Sequence, residues 1–161
     1  MAVDMLLKIE GVDGESVIRG HEREIDVLAW SWGMSQSGSM HIATGGGSGK
    51  VSVQDIALTK RVDKASPVIW QYCCSGKHFP RALLTVRKAG DSPVEYLKIK
   101  MEKVLITSMT TGGSGGDDMV MEHIGLNFAS FEMKYIPQNP DGSAGAEVTT
   151  QWNIAANTPS V

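Results

Sequence analysis

The residues with the most obvious catalytic potential surround Ser114, in the run Gly112–Gly116. That run satisfies the G-x-S-x-G pattern of a serine hydrolase, in which a strand precedes the nucleophile, a helix follows it, and an acid and a histidine come later. Asp117, Asp118 and His123 do follow. The two aspartates are too close in sequence to reach back, however, and a strand pattern comes next instead of a helix. A small serine hydrolase using Ser114 therefore stays an alternative function.

A second glycine-rich run ends in Gly49-Lys50 and resembles part of a phosphate-binding loop, whose pattern is G-x-x-x-x-G-K-[ST]. Thr44 stands where that pattern needs its first glycine, and Val51 stands where it needs a hydroxyl to ligate magnesium. A β-branched strand pattern follows, so no helix N-terminus would face a phosphate. The sequence argues against nucleotide binding.

The residue spacing that metal sites require is also missing. The four histidines have neither an i,i+4 partner nor cysteines at zinc spacing: His21, His41, His78 and His123. The acidic residues after Ser114 do not alternate about a fixed glycine, as a calcium loop requires. Cys73 and Cys74 are adjacent, so they cannot close a loop of useful length, and we expect reduced, packed thiols. We expect no metal and no cofactor.

The sequence Trp30-Ser31-Trp32 is the most individual local feature. In a strand, Trp30 and Trp32 share one face, whereas Ser31 projects from the other. We expect the tryptophans to anchor a core or an interface. A platform for stacking nucleic-acid bases would also use aromatic residues, but it needs basic neighbours, and Glu24 and Asp26 lie nearby instead.

Length, composition and charge restrict the class of protein to which this chain can belong. The 161 residues predict one domain, residues 1–161, which is long enough to bury about 68–70% of its unfolded surface. The net charge is −3, which argues against a nucleic-acid binder, although a monomeric nucleic-acid-binding β-barrel stays a second alternative. No stretch approaches 18 consecutive apolar residues, so we expect no membrane span. The first ten residues include Asp4 and lack a basic region, so we expect no cleaved signal peptide.

The elements that would position these residues are mostly strands. Period-two alternation predicts seven or eight of them, typical of an antiparallel barrel or sandwich: Met5–Ile9, Glu24–Trp32, Val51–Thr59, Ala82–Lys88, Val94–Met101, Val104–Thr110, Val120–Tyr135 and Val148–Ile154. The apolar parity changes within Val120–Tyr135, which predicts either a bulge or bend near Ala129-Ser130 or a strand buried on both sides.

One helix is predicted, at about residues 67–75. Ser66 is a suitable N-cap, Pro67 suits the first helical position, and Gly76 can end the helix in a left-handed conformation. A helix this short is unstable alone, so we expect it to pack on the sheet and to cover or plug a barrel.

Several motifs, in this order along the chain, resemble one known family: Met1–Met5, Glu24–Gln36, Asp63–Pro67, Ser75–His78, Glu95–Leu97 and Gln151–Ile154. From Asp4 to about Asn157 the sequence resembles a haemolysin-coregulated protein (Hcp), the tube subunit of the bacterial type VI secretion system. The resemblance implies a small antiparallel β-barrel of two curled sheets, with one short helix and a long glycine-rich extended loop.

The resemblance also implies a function that involves no chemistry. Six copies of such a protein form a ring, the rings stack into a hollow tube, and sheath contraction ejects the tube with its spike protein. The implied partners are other copies of the chain, a VgrG-like spike protein, sheath and baseplate proteins, and effectors carried or sheltered in the lumen. The implied location is the bacterial cytoplasm before firing and the outside, or a target cell, afterwards.

Two sets of residues acquire expected roles from this resemblance. The extended loop would reach onto the next subunit through Gly45, Gly46, Gly47, Ser48, Gly49 and Lys50. Glycines permit the backbone conformations and close approach that such docking needs. Ser31 would project from the face away from the core and contact effectors in the lumen. Alternatively, Ser31 lies under a neighbouring strand or in the subunit contact.

Overall fold

The computed structural model describes residues 2–38, 41, 49–90 and 93–160. Ten strands are present in this part of the chain: β1 (Val3–Ile9), β2 (Ile25–Ser31), β3 (Met34–Ser35), β4 (Ser52–Val53), β5 (Ile56–Arg61), β6 (His78–Lys88), β7 (Glu95–Gly112), β8 (Met121–Asn127), β9 (Ser130–Tyr135) and β10 (Val148–Asn153). The helix α1 (Ser66–Ser75) lies between β5 and β6.

Six of these strands close an antiparallel barrel. The order around it is β7, β6, β1, β2, β5 and β8, and β8 pairs back onto β7. The remaining strands extend or flank it: β9 and β10 continue the sheet beyond β7, while β3 and β4 form a small separate sheet. The predicted mainly β barrel with one short helix is confirmed.

The long strand β7 organises both the barrel and its extension. Its residues Leu105–Gly112 pair with β8, and its residues Leu97–Glu102 pair with β9. The strands β8 and β9 therefore lie along the same side of β7, separated by Phe128 and Ala129. The interruption lies where the parity change predicted a bulge or bend, and the single strand predicted over Val120–Tyr135 is two strands in the structure. Beyond it the two strands take different outer neighbours, since β8 pairs with β5 and β9 pairs with β10.

Alternation along the strands fills the barrel interior. In β5, Ile56 and Leu58 are buried, whereas Ala57 and Arg61 are exposed. The other barrel strands contribute their own inward residues, and α1 adds Ala65 and Ile69 to the same apolar cluster. Fully burying one such Ile or Leu side chain stabilises the fold by about 1.5–3 kcal/mol.

The helix packs against β7 and begins one residue earlier than predicted. The assignment of Ser66 as N-cap was wrong, because Ala65 is the N-cap residue and makes no side-chain capping bond. An upstream carboxylate satisfies a backbone donor here: the Ala65 N–H donates to Asp63 Oδ1 over 3.0 Å. At the other end, Gly76 adopts the expected left-handed conformation with φ of 71°.

The face of α1 toward the barrel includes an aromatic stack. Tyr72 lies parallel to Phe79 of β6, with ring centroids 4.0 Å apart. Cys73 is half-buried, but Cys74 is exposed, so the expectation that both thiols pack holds only for the first. Both cysteines are free thiols.

A buried ion pair lies inside the barrel beside the start of α1. Lys60 is 1% exposed, and its Nζ donates to Glu122 Oε2 over 3.0 Å. The same ammonium group donates to Asp63 Oδ1 (2.9 Å), Ser66 Oγ (3.0 Å) and the Arg61 carbonyl oxygen (2.8 Å). These bonds join β5, β8 and the first turn of α1.

A histidine fixes the segment between β1 and β2 to β7. His21 Nδ1 lies 2.8 Å from Glu24 Oε2, and its Nε2 lies 2.6 Å from Glu95 Oε1. Burial lowers the pKa of His21, but the hydrogen bonds and charges of Glu95 and Glu24 outweigh it, so the pKa is raised overall. Lys98 also pairs with Glu95, at 2.8 Å.

Candidate functional site

The base of the predicted extended loop is a short antiparallel ladder. Met34 of β3 pairs with Val53 of β4, and the Gln54 N–H donates to the Gly33 carbonyl oxygen over 2.9 Å. The chain between β3 and β4 thus leaves and re-enters the fold at one place. This pairing holds the two ends of the predicted loop next to each other.

Only part of the predicted interface segment can be placed. Gly45, Gly46, Gly47 and Ser48 lie outside the described residues. Gly49 is half-buried against Gln36 and Ser37, and Lys50 is exposed. Both residues lie where the chain returns to β4.

Ser31 lies at the end of β2 and is exposed on the outside of the barrel. The tryptophans on either side face the opposite way and pack on the apolar core. Trp32 contacts Phe128 and Phe131 edge-on, with centroid distances of 5.8 and 4.8 Å, and its Nε1 donates to the Gln54 carbonyl oxygen. The two tryptophans therefore anchor the end of the strand that presents Ser31.

Ser31 belongs to an outer wall built from small side chains. This outer wall comprises outward-facing residues of β2, β5, β8 and β7 around a shallow depression of about 320 Å³. The smallest or hydroxyl-bearing members are Ala29, Ser31, Ala57, Thr59, Ser108, Thr110 and Gly125. Apart from Lys60 and Glu122, the inward-facing residues of β5 and β8 are apolar, and the period of two places the small and hydroxyl-bearing residues on the outside.

Hydrogen bonds between neighbouring strands hold the polar members of this wall. Asp55 accepts from Thr107 Oγ1 over 2.6 Å and from Asn127 Nδ2 over 2.8 Å. Thr59 Oγ1 lies 3.0 Å from His123 Nδ1. A Cβ on Gly125 would lie 2.5 Å from Ser108 Oγ, so the close approach of strands there requires a residue without a side chain. The wall is consequently smooth and laterally bonded.

Ser114 lies apart from this wall, in the exposed turn between β7 and β8. Its hydroxyl accepts a bond from the Gly116 N–H at 3.4 Å, and its carbonyl oxygen accepts from the Asp117 N–H at 3.0 Å. No helix follows before β8. Within residues 2–38, 41, 49–90 and 93–160, no histidine or carboxylate bonds to the Ser114 hydroxyl; His123 bonds to Thr59 instead.

The comparisons with known proteins agree on one family. The family described as "Type VI secretion system effector, Hcp" matches residues 6–135. The chain is also 55% identical over 159 residues to Protein hcp1 of Pseudomonas aeruginosa, covering 98% of each protein. The chain belongs to the Hcp family.

Solved Hcp structures share the fold. Hcp1 from Salmonella typhimurium is 37% identical and superposes with a TM-score of 0.82, covering 98% of each chain. A structure described as a type six secretion system protein reaches a TM-score of 0.91 at 28% identity, over 98% of this chain and 99% of that one. Hcp proteins are structural type VI secretion proteins rather than a known enzyme family, and membership implies self-assembly in that system. In the part of the chain that the structure describes, α1 is too short to span a membrane.

Sequence reasoning missed two features of this region. It placed Ser31 on a strand face but did not identify the wall around it, although the alternation of Ala57 and Thr59 with Ile56 and Leu58 was the signal. It also missed the Lys60–Glu122 pair. Lys60 shares the inward parity of Leu58, yet a lysine in a strand ordinarily indicates an outward position.

Proposed function

We propose that this Hcp protein is the tube subunit of a type VI secretion system, that six copies form a ring, and that rings stack into a hollow tube. Family membership across nearly the whole chain is the observation that supports this most strongly. The structure adds a closed barrel, in which each of the six strands pairs with a neighbour on both sides. We expect this pairing to make the subunit rigid, as a tube part that transmits the work of sheath contraction must be.

We propose that residues Gly45–Lys50 dock on the neighbouring subunit. A ring uses one heterologous contact that closes on itself, so two different patches of the subunit must be complementary. The β3–β4 ladder supports this role because it holds the two ends of the loop side by side at one place on the subunit. The glycines give the segment the backbone freedom needed to follow a neighbour's surface.

We propose that the outer wall faces the lumen and that effectors contact it at Ser31. Small, laterally bonded side chains leave room for cargo and offer hydroxyl groups without fixed charge at Ser31 and Thr59. Changing Ser31→Lys should leave rings intact, because an exposed lysine keeps its hydration, but should reduce or alter effector capture. Ser31→Thr is the matched control. Pull-down of effectors from secreting cells provides the measurement, and capture equal to wild type would remove Ser31 from the lumen contact.

The remaining proposals concern location and partners. We place the subunit in the bacterial cytoplasm before firing and outside the cell or in a target cell afterwards. Its proposed partners are other copies, a VgrG-like spike protein, sheath and baseplate proteins, and effectors. Residues 1–161 act as one Hcp-like domain in this proposal, with no catalytic step and no cofactor.

Negative-stain electron microscopy of the purified protein tests the proposed function. Rings with a central hole are expected at micromolar subunit concentration. Esterase turnover and salt-dependent DNA binding are measured on the same sample, because they are the signatures of the two alternative functions. A uniform monomer with either activity would overturn the tube assignment.

A further inference from the structure

The extension of the barrel has an open edge. The sheet begins with β10 and β9, continues through β7, and closes into the barrel, so β10 pairs only with β9 among the described strands. Phe128 and Ala129 separate β8 from β9, and the two strands then have different outer neighbours, since β8 pairs with β5 and β9 pairs with β10. The outer side of β10 is therefore available for another strand.

The backbone groups that point away from β9 can be identified. The Asn153 N–H donates to the Thr158 carbonyl oxygen over 2.8 Å, and the Thr158 N–H donates back over 3.2 Å. Asn153 thus directs both its backbone groups to the outer side of β10. Because these groups alternate sides along a strand, Gln151 and Thr149 direct theirs outward as well. Val148, Thr150 and Trp152 supply the ladder to β9.

This edge lacks the features that normally protect one. Soluble proteins discourage edge pairing with lysines, prolines or bulges. The six residues of β10, Val-Thr-Thr-Gln-Trp-Asn, contain no charge and no proline, and their register with β9 is unbroken. Val148 is 65% exposed, and its cross-strand neighbour Tyr135 is 46% exposed. Among the residues that the structure describes, the turn back to Thr158 is the one segment that pairs with this edge, at the last residue of β10.

An apolar cleft lies next to the same edge, between β9–β10 and the β3–β4 ladder. Its volume is about 440 Å³, and its lining includes Trp32, Met34, Val53, Phe131, Met133 and Trp152. Trp152 Nε1 is buried and has no hydrogen-bond partner among the described residues. Leaving a buried donor unpaired is unfavourable, so an isolated subunit gains by acquiring an acceptor here.

We propose that an extended segment of a second copy of this chain pairs with the outer edge of β10 and places apolar side chains in the adjacent cleft. The inference rests on the proposed function, because it assigns one of the two patches that a closing ring requires. Hcp family membership, which implies self-assembly, argues for a second copy as the occupant. The chemistry agrees, since permanent interfaces between copies are more apolar than transient ones and β10 offers no charge to attract an ionic partner.

Gln151→Pro tests the edge directly, with Gln151→Ala as its matched control. The proline removes an N–H that points away from β9, so the β9 ladder stays intact, and proline is tolerated on an edge strand. The alanine variant removes the same side chain but keeps the N–H. We expect folded subunits in both cases by circular dichroism, with ring formation weakened about tenfold or more by the proline alone. Sedimentation velocity over a range of subunit concentrations measures this.

Val148→Lys, with Val148→Thr as control, tests the same edge without changing the backbone. A lysine there reproduces the protection found on natural edges and should also weaken ring formation. If the rings of Gln151→Pro and of Val148→Lys both dissociate at the same subunit concentration as wild-type rings, the edge proposal is wrong, while the proposed tube function is unaffected. If both variants form intact rings but are no longer secreted, the edge contacts a partner other than a second copy, and the proposal is also wrong. A wild-type protein that forms no rings would instead refute the proposed function on which the inference rests.

Discussion

Lys60→Met should destabilise the barrel strongly. In the native fold the Lys60 ammonium group compensates the buried carboxylate of Glu122, whose side chain is 0% exposed. The Glu122 Oε1 atom already has no partner among the described residues, so Oε2 depends on Lys60. Methionine has nearly the volume of the lysine side chain, so the variant removes the charge and the three N–H donors that four acceptors share, without leaving a large cavity.

The expected loss is about 3–5 kcal/mol in the free energy of unfolding, the usual cost of leaving one charge of a buried pair uncompensated. Small domains have only about 5–15 kcal/mol in total, so the variant approaches the limit of folding. Glu122→Gln should cost less, about 1–3 kcal/mol, because Lys60 keeps Asp63 at 2.9 Å. The double variant Lys60→Met/Glu122→Leu should recover much of the loss, since an apolar pair of similar volume needs no compensation.

Urea unfolding at pH 7, followed by tryptophan fluorescence, measures these differences. All variants need the same subunit concentration, because assembly adds to the apparent stability. A Lys60→Met loss under about 1 kcal/mol would refute the claim that the pair is buried and compensated. So would a double variant as unstable as the sum of its single changes, because it would show that the two side chains act independently.

Three further predictions concern other parts of the molecule. His21→Asn should lower stability by roughly 1 kcal/mol at pH 6 and by less at pH 8. The pKa of His21 is raised in the folded state, so its protonated form stabilises the fold at a pH below the unfolded-state pKa, and this contribution is lost as the pH rises through the folded-state pKa. Thermal melts at both pH values test this. Ser114→Ala should leave assembly and secretion unchanged, and stoichiometric labelling of Ser114 by a serine-reactive probe would contradict this. Replacing Gly45–Gly47 with three valines should give folded subunits that fail to form stable rings; unchanged rings in gel filtration would exclude the segment from the interface.

Local patterns predicted most of the strands because each depends on its own alternation. The predicted strand Val51–Thr59 is an exception, since it covers β4 and the start of β5, which belong to different sheets. The closure of the barrel is harder to predict from the sequence, because it depends on long-range pairing: β7 pairs with β8 at one end and with β9 at the other. The predicted strands Val94–Met101 and Val104–Thr110 are one strand in the structure. Lys103 lies between them at φ of 53°, and the pairing of β7 with β6 continues past it.

The prediction of the N-cap of α1 was wrong because other groups bind the Ser66 hydroxyl. Ser66 has the right chemistry for an N-cap, but its hydroxyl instead accepts from Lys60 Nζ and from the Asp63 N–H. That bonding depends on a lysine buried inside the barrel, which sequence alone does not place. Cys74 was expected to pack because it lies in a helix, yet it occupies the exposed face of α1. For Ser31, alternation predicted correctly that the side chain lies on the strand face opposite the two tryptophans, while its contact with effectors stays a prediction.

Native mass spectrometry of the purified chain tests the central claim most directly. A tube subunit that closes into six-membered rings should give a dominant species at six times the 17.3 kDa chain mass, with stacked rings at multiples of that value. The β10 edge variant Gln151→Pro should shift this population toward single chains while Gln151→Ala does not. A wild-type spectrum dominated by single chains, or by a species with a different number of copies, would contradict the account.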